Sequence, residues 1–163
     1  MENSKFFQQM MGKEVSAIGR AADMLCMSFG KVVRKNIRGD SLSEFEIHVQ
    51  CSWSLVNSEN TIVVAKRDIF LPPTDVPWSP SFNWDVKGGN LFDEIISSQI
   101  MHFSDYHIEA LRISKTNHMT IRLGKGIHLE VFPDSSCEEN WRIVQREIQS
   151  VHLVCKGTQL AFE

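Results

Sequence analysis

The sequence lacks several features that mark whole classes of protein. It has no apolar run near the roughly 20 residues that span a bilayer, and its first residues, MENSKFF, show no basic start followed by an apolar stretch. We therefore expect neither a membrane protein nor an exported one. Basic residues are not in excess, because 17 Lys and Arg face 20 Asp and Glu and the pI is near 6.1. Nucleic-acid-binding domains typically have a pI above about 9, so no nucleic-acid partner is expected.

Closely spaced metal and redox motifs are also missing. The four cysteines, Cys26, Cys51, Cys137 and Cys155, lie 25, 86 and 18 positions apart, so they form no CxxC pair. The six histidines include no HxxH or HExxH pattern. We predict no metal ion, no cofactor, free thiols and a cytoplasmic location.

The composition that remains is that of a globular protein. Hydrophobic residues make up 42% and charged residues 23% of 163 residues, close to the averages for globular domains. One globular domain over residues 1–163 is the simplest prediction for this length.

Alternating apolar and polar residues predict a largely antiparallel sheet of about seven strands. The longest alternation, from Phe45 to Leu55, indicates one long strand with one buried face, and the Val- and Ile-rich stretch 61–70 its hairpin partner. Further strands are predicted at 25–29, 111–113, 119–123, 127–131 and 151–155. Residues 15–20 fit either a strand or a short helix, and we favour the strand.

One main helix is predicted after Gly88 and Gly89. Apolar residues recur every three or four positions from Leu91 through Ile100 to Phe103, and Asn90 can cap the first turn. A shorter helix is predicted at 4–11. The predicted fold class is therefore α+β, with the sheet packed against one main helix.

A proline-dense stretch separates the predicted sheet from that helix. Four prolines fall between positions 72 and 80, with Trp78 and Trp84 among and after them. No regular element tolerates this proline density, so we predict a long ordered loop, a kind of segment that is often functional.

A basic cluster stands out in the first quarter of the chain. Residues 1–40 carry a net charge of +3 and residues 41–163 carry −6. The positive excess lies at Lys31, Arg34, Lys35 and Arg38. We interpret it as a solvated loop between strands, with a phosphate-binding patch as the less favoured alternative.

No catalytic constellation is complete. His128 and Glu130 match the HxE of zinc deaminases, but the PCxxC that should follow is missing after Pro133, which favours a surface pair. Cys137 lies beside Glu138 and Glu139, which would raise its thiol pKa rather than activate it. We therefore assign no catalytic residue and no metal ligand.

Binding of a partner through the protein surface remains the favoured function. Tryptophan and arginine dominate interface hot spots, and several lie in polar, loop-like contexts beside acidic residues. The predicted binding residues are Trp78, Trp84, Asp85, Glu138, Glu139, Trp141 and Arg142.

Several short strings, taken in order, resemble a group of small bacterial proteins with no established activity. They cover nearly the whole chain: ADML at 22–25, FG at 29–30, HVQCSW at 48–53, RDI at 67–69, FNWD at 82–85, NLFDE at 90–94, LEVFPDSS at 129–136 and NWR at 140–142. Proteins of this style are similar to immunity proteins encoded beside bacterial toxins. The resemblance implies a protein that binds and blocks one partner, and it supplies no catalytic residue.

The sequence is therefore compatible with three functions. The first is a non-enzymatic, immunity-like module with a protein partner, which could be a toxin, in an oligomeric state that the sequence leaves open. The second is a small hydrolase using carboxylates such as Asp68, Asp85 and Glu138, which would converge in a cleft. The third is a small-molecule sensor whose apolar pocket between sheet and helix would be lined by Trp53 and Trp84.

Overall fold

A computed structural model describes residues 2–99, 105–146 and 149–163. Its helices are α1 (Glu2–Met10) and α2 (Leu91–Gln99). Its strands are β1 (Val15–Ala21), β2 (Met24–Lys35), β3 (Ser41–Val49), β4 (Ser52–Val56), β5 (Ile62–Ala65), β6 (Ile108–Ile113), β7 (Met119–Leu123), β8 (His128–Phe132), β9 (Glu139–Arg146), β10 (Ser150–Lys156) and β11 (Gln159–Phe162).

The strands form two sheets. A six-stranded sheet has the order β1-β2-β3-β9-β10-β11, and a five-stranded sheet has the order β5-β4-β8-β7-β6. All the strand pairs described are antiparallel. The predicted α+β class with a mostly antiparallel sheet is confirmed, while its finer details need correction.

The long strand predicted at 45–55 is two strands in different sheets. The backbone amides of Gln50 and Cys51 both donate to the carbonyl of Asn140, at 2.9 and 3.1 Å, where the chain leaves β3 for β4. The alternation continues through this junction, because Val49, Cys51 and Trp53 are all buried. A pattern of period two reports which side chains face the core, and both sheets face the same core.

The strand count and the prominence of the main helix differ from the prediction. The described residues hold eleven strands rather than about seven, and two short helices, α1 and α2, in place of a predicted main helix and a shorter N-terminal one. The sequence of β9 shows no clear alternation, because Gln145 is polar on the inward face that it shares with Trp141 and Ile143, whereas Val144 is apolar on the other face. The strand predicted at 61–70 ends at Ala65, where Asp68 accepts a hydrogen bond from the Ala65 amide (2.8 Å) and a 3₁₀ helix begins.

Other predicted elements are present. Residues 15–20 lie in a strand, and an N-terminal helix is found. α2 begins as predicted, with Asn90 Oδ1 accepting from the Asp93 amide at 2.8 Å. The predicted helix positions Ile100 and Phe103 lie outside the described residues.

One cluster of buried apolar side chains includes the inward faces of both sheets. The Trp141 Nε1 of β9 donates to the carbonyl of Asn117, in the turn between β6 and β7 (3.1 Å), which joins the two sheets through the core. The helix α1 adds Phe6, whose ring meets the rings of Phe45 and Phe162 edge to face.

The hairpin of β2 and β3 extends past its neighbours in the sheet. β1 pairs with β2 only as far as Phe29, whereas β2 and β3 continue to pair from Val32 to Lys35. The predicted basic cluster lies on this exposed extension and its turn. Gly30 at the base has φ +81° and leaves room for the Glu44 carboxylate where a Cβ would stand.

Candidate functional site

A loop of 20 residues without helix or strand, 71–90, links the 3₁₀ helix to α2. We call it the proline-rich loop. Turns within it are closed by backbone hydrogen bonds, from Val76 to Pro73 (3.0 Å) and from Phe82 to Ser79 (2.9 Å). Because loops of this length without regular structure are uncommon in compact domains unless they serve a function, the predicted long loop is a strong candidate site.

The Arg20 side chain of β1 anchors the second half of the proline-rich loop through hydrogen bonds. It is only 7% exposed, and it donates from Nε and Nη2 to the Asp93 carboxylate, both at 3.0 Å. Its Nη1 reaches Asp85 at 3.2 Å, and its Nη2 reaches the carbonyls of Trp84 and Val86 at 3.2 and 3.1 Å. The hydrogen bonds to Asp93 raise the pKa of Arg20, so one permanent cation ties β1, the loop and α2 together.

Further contacts anchor the rest of the loop. The amide and hydroxyl of Thr74 both donate to the Glu94 carboxylate at 2.9 Å. Asn90 Nδ2 donates to the Trp84 carbonyl at 2.9 Å, and the Trp84 ring meets the Phe70 ring edge to face at 4.9 Å. The start of the loop is therefore held to α2, and Trp84 is held to the loop's end and to the 3₁₀ helix.

This anchored loop exposes apolar side chains. Trp78 is 68% exposed, and four more large apolar residues in or next to the loop are exposed: Phe70, Leu71, Val76 and Val86. A tryptophan offers a large contact area at a small cost in conformational entropy. Since the backbone beneath it is already ordered, little further entropy is lost when a partner covers it.

The structure distributes the seven predicted binding residues over three places. Trp78, Trp84 and Asp85 lie in the proline-rich loop, with Trp84 half-buried and the other two exposed. Glu138 is exposed just before β9, and Glu139 and Arg142 lie within β9. They do not form one surface patch.

The prediction that Trp141 lies in an exposed loop is wrong. Trp141 is fully buried in β9, and its indole nitrogen is used by the bond to Asn117. Two acidic residues and an asparagine precede it, which gives the sequence its polar, loop-like look. The polar Asn140 is itself buried, because its side chain accepts bonds from the Asp134 and Ser135 amides, both at 3.0 Å.

Glu139 and Arg142 belong to the outer face of the six-stranded sheet. Arg142 Nε donates to Glu139 at 2.7 Å, and Arg142 Nη1 lies 3.0 Å from Nδ1 of His152. The hydrogen bond to Arg142 lowers the pKa of Glu139, and burial next to Arg142 lowers the pKa of His152. A shallow depression of about 370 Å³, whose wall includes Arg146 and His48, lies here.

Sequence reasoning missed one group on this outer face. Cys26 of β2 is paired in register with His48 of β3, and Glu46 lies two positions before His48. One ligand atom from each side chain lies within 4.8 Å of the other two. The alternations of both strands show that these side chains face outward, but only the register of the hairpin brings them together.

The three carboxylates of the hydrolase hypothesis have different surroundings. Asp68 caps the 3₁₀ helix, Asp85 pairs with Arg20, and Glu138 is exposed. Asp85 is the one member of this trio that lines the largest cavity described. The arrangement does not favour a shared acid–base pair.

The cavity that could serve the sensor hypothesis is not lined by the two tryptophans that the sequence predicted. About 750 Å³ lies between β1 and α2, bounded by apolar groups such as Ile18, Phe92 and Ile96. Trp53 is buried against Phe92 instead, with ring centroids 5.7 Å apart, and Trp84 packs on Phe70.

The remaining sequence candidates are the pair His128 and Glu130 and the cysteines. Glu130 accepts from Thr120 at 2.9 Å and lies 2.6 Å from Nε2 of His118 and 3.5 Å from that of His128, as a surface pair predicts. Cys137 is the exposed cysteine. Burial raises the pKa of Cys51 to about 12, so that thiol stays protonated.

Comparison with known proteins adds no relative, because no family model, no curated protein and no solved structure matches this chain. Within the described residues, neither helix has the length and apolar character needed to cross a membrane.

Proposed function

We propose that this protein is a non-enzymatic binding module that recognises a partner protein through the proline-rich loop. The observation that carries the proposal is a long loop, anchored by Arg20 and Glu94, that leaves Trp78 68% exposed. An ordered loop with an exposed tryptophan is what an interface hot spot requires. In the immunity-like interpretation, covering the partner blocks its activity.

The side chains of the proline-rich loop indicate which kind of partner surface would complement it. Val76 and Val86 supply apolar contact on the same loop as Trp78, and the exposed Asp75 places negative charge on it. The matching surface has a pocket deep enough for an indole ring and basic groups at its rim. A basic toxin is one class of protein with such a surface.

Site-specific photo-crosslinking tests the proposal. A photoreactive amino acid replaces Trp78 in the full chain, which is then expressed in its native cell and irradiated. A control chain carries the same group at Ile62, which is 60% exposed on β5, outside the proline-rich loop. We expect one protein to be crosslinked from position 78 and not from position 62.

The identified protein is then purified and its affinity for the unlabelled chain is measured. Specific binding of the two purified proteins supports the proposal. Equal crosslinking from both positions, or no binding between the purified proteins, contradicts it.

A second candidate function is small-molecule binding in the cavity between β1 and α2, which its volume of about 750 Å³ and apolar lining favour. Gly19 lines this cavity, and a Cβ added there would meet no atom within 4 Å. The Gly19→Leu variant should therefore place an apolar side chain in the cavity, and its Cβ has room to do so. A metabolite that raises the melting temperature of the wild type but not of this variant would support this function, and a shift common to both proteins would count against it.

A further inference from the structure

Three side chains that no proposed function uses converge on the outer face of the six-stranded sheet. Cys26 offers a sulfur, Glu46 a carboxylate oxygen and His48 an imidazole nitrogen, all within 4.8 Å of one another. All three are half-buried. They lie on the opposite face of the sheet from the core.

The strands beneath these side chains hold them at fixed positions. The inward neighbours Leu25, Met27 and Ile47 are fully buried in the core, so β2 and β3 cannot shift without disrupting it. A pair in register across two strands, together with a residue two positions along one of them, places three side chains on one face. This is the support from rigid elements that a metal site needs.

The distances and the donor types fit a zinc-like ion. His48 Nε2 and Glu46 Oε1 are 3.2 Å apart. Two ligands bonded at about 2.0–2.1 Å to one tetrahedral ion are separated by about 3.3 Å. Thiolate, imidazole and carboxylate together are typical zinc ligands, and the sulfur disfavours magnesium and calcium.

The charged neighbour Arg146 contacts one carboxylate oxygen of Glu46 and leaves the other oxygen available to a metal ion. Arg146 of β9 contacts Oε2 of Glu46, while Oε1 faces His48. This arginine orients the carboxylate as outer-shell partners do in metal sites. When the metal binds, the Cys26 thiol loses its proton to solvent and coordinates as the thiolate.

We propose that Cys26, Glu46 and His48 bind one divalent transition-metal ion of the zinc class, with solvent in the fourth position. The metal site is separate from the proline-rich loop. Metal binding can therefore be tested independently of the proposed binding of a partner protein.

Cobalt(II) titration of the full chain tests the site, because a thiolate ligand gives a charge-transfer absorption band in the near ultraviolet. The wild type should show this band and saturate at one equivalent. Cys26→Ser should lose the band, and His48→Ala should bind at least about tenfold more weakly. Cys137→Ser is the matched control, because it removes an exposed cysteine outside the cluster, and its titration should equal that of the wild type.

A second measurement needs no variant of the cluster. Zinc should slow alkylation of Cys26 in the wild type and leave the alkylation rate of Cys137 unchanged, as read by mass spectrometry. The proposal is overturned if cobalt gives no band with the wild type, if the band is lost with Cys137→Ser instead of Cys26→Ser, or if zinc leaves Cys26 unprotected.

Discussion

The two large buried tryptophans differ in one hydrogen bond. Trp141 Nε1 donates to the Asn117 carbonyl at 3.1 Å, whereas Trp53 Nε1 has no acceptor within the described part of the chain. Replacing each by phenylalanine removes the same atoms, but only Trp141→Phe leaves a buried carbonyl unpaired. We expect Trp141→Phe to lower the free energy of unfolding by about 1–3 kcal/mol more than Trp53→Phe does.

Urea unfolding of the two variants measures this difference directly, and each serves as the control for the other. Equal losses, or a larger loss for Trp53→Phe, would mean that the bond to Asn117 contributes nothing to stability.

A second prediction at the residue scale concerns pH. Glu44 accepts from Lys13 Nζ at 2.7 Å and from the Lys31 amide at 2.9 Å, and the Lys13 hydrogen bond lowers the pKa of Glu44 below its ordinary value. A lowered pKa in the folded state adds stability above the unfolded pKa and loses it as the pH falls through the folded one. Glu44→Gln should therefore cost about 1–2 kcal/mol at neutral pH and nothing in strong acid.

Urea unfolding of both proteins across the acid range checks this prediction. Glu59→Gln, in the exposed turn after β4, is the control and should stay within about 0.5 kcal/mol of the wild type. A Glu44→Gln deficit that stays constant as the pH falls would show that the effect is not due to charge.

At the scale of elements, Arg20 decides whether the proline-rich loop is ordered. Its removal would leave the Asp93 carboxylate, which is 15% exposed, without its cation. Losing one partner of a buried ion pair costs about 3–5 kcal/mol, and the Trp84 and Val86 carbonyls would lose a donor as well. We expect Arg20→Met to destabilise the protein by about 3 kcal/mol and to open residues 71–90 to proteolysis.

Arg122→Met is the matched control, because the Arg122 side chain is 63% exposed and lies 3.6 Å from Glu109. An exposed pair contributes about 0–1 kcal/mol. If Arg20→Met is no more sensitive to limited proteolysis in the loop than Arg122→Met, then Arg20 does not anchor the loop.

The elements that could be predicted are those whose pattern depends on local physics. The β7–β8 hairpin follows from alternation and two glycines, and the start of α2 follows from the Asn90 cap. β9 could not be predicted, because a polar Asn140 that is satisfied by turn amides looks like loop sequence. Burial of such a residue depends on partners that are distant in the chain.

At the scale of the whole molecule, the unpredicted feature is the second sheet. The alternation from Phe45 to Leu55 shows one continuous buried face, but it carries no information about the transfer between sheets at Gln50 and Cys51. That transfer depends on the Asn140 carbonyl, 90 positions along the chain. Pairing between distant strands is therefore what limits a prediction of this fold.

The candidate sites also differ in whether local sequence is enough to predict them. Proline density and tryptophans in the sequence indicate the proline-rich loop without further information. The convergence of Cys26 with His48 requires the register of β2 against β3. The anchoring of the loop requires Arg20, which the sequence alone does not connect with Asp93.

We propose that Trp78 on the anchored proline-rich loop is the main contact with a partner protein. The most direct test is calorimetric titration of the partner identified by crosslinking with the wild type and Trp78→Ala. We predict at least about 30-fold weaker binding by the variant, as for a hot-spot residue, with an unchanged melting temperature. Equal affinity of the two proteins for the partner would contradict the claim.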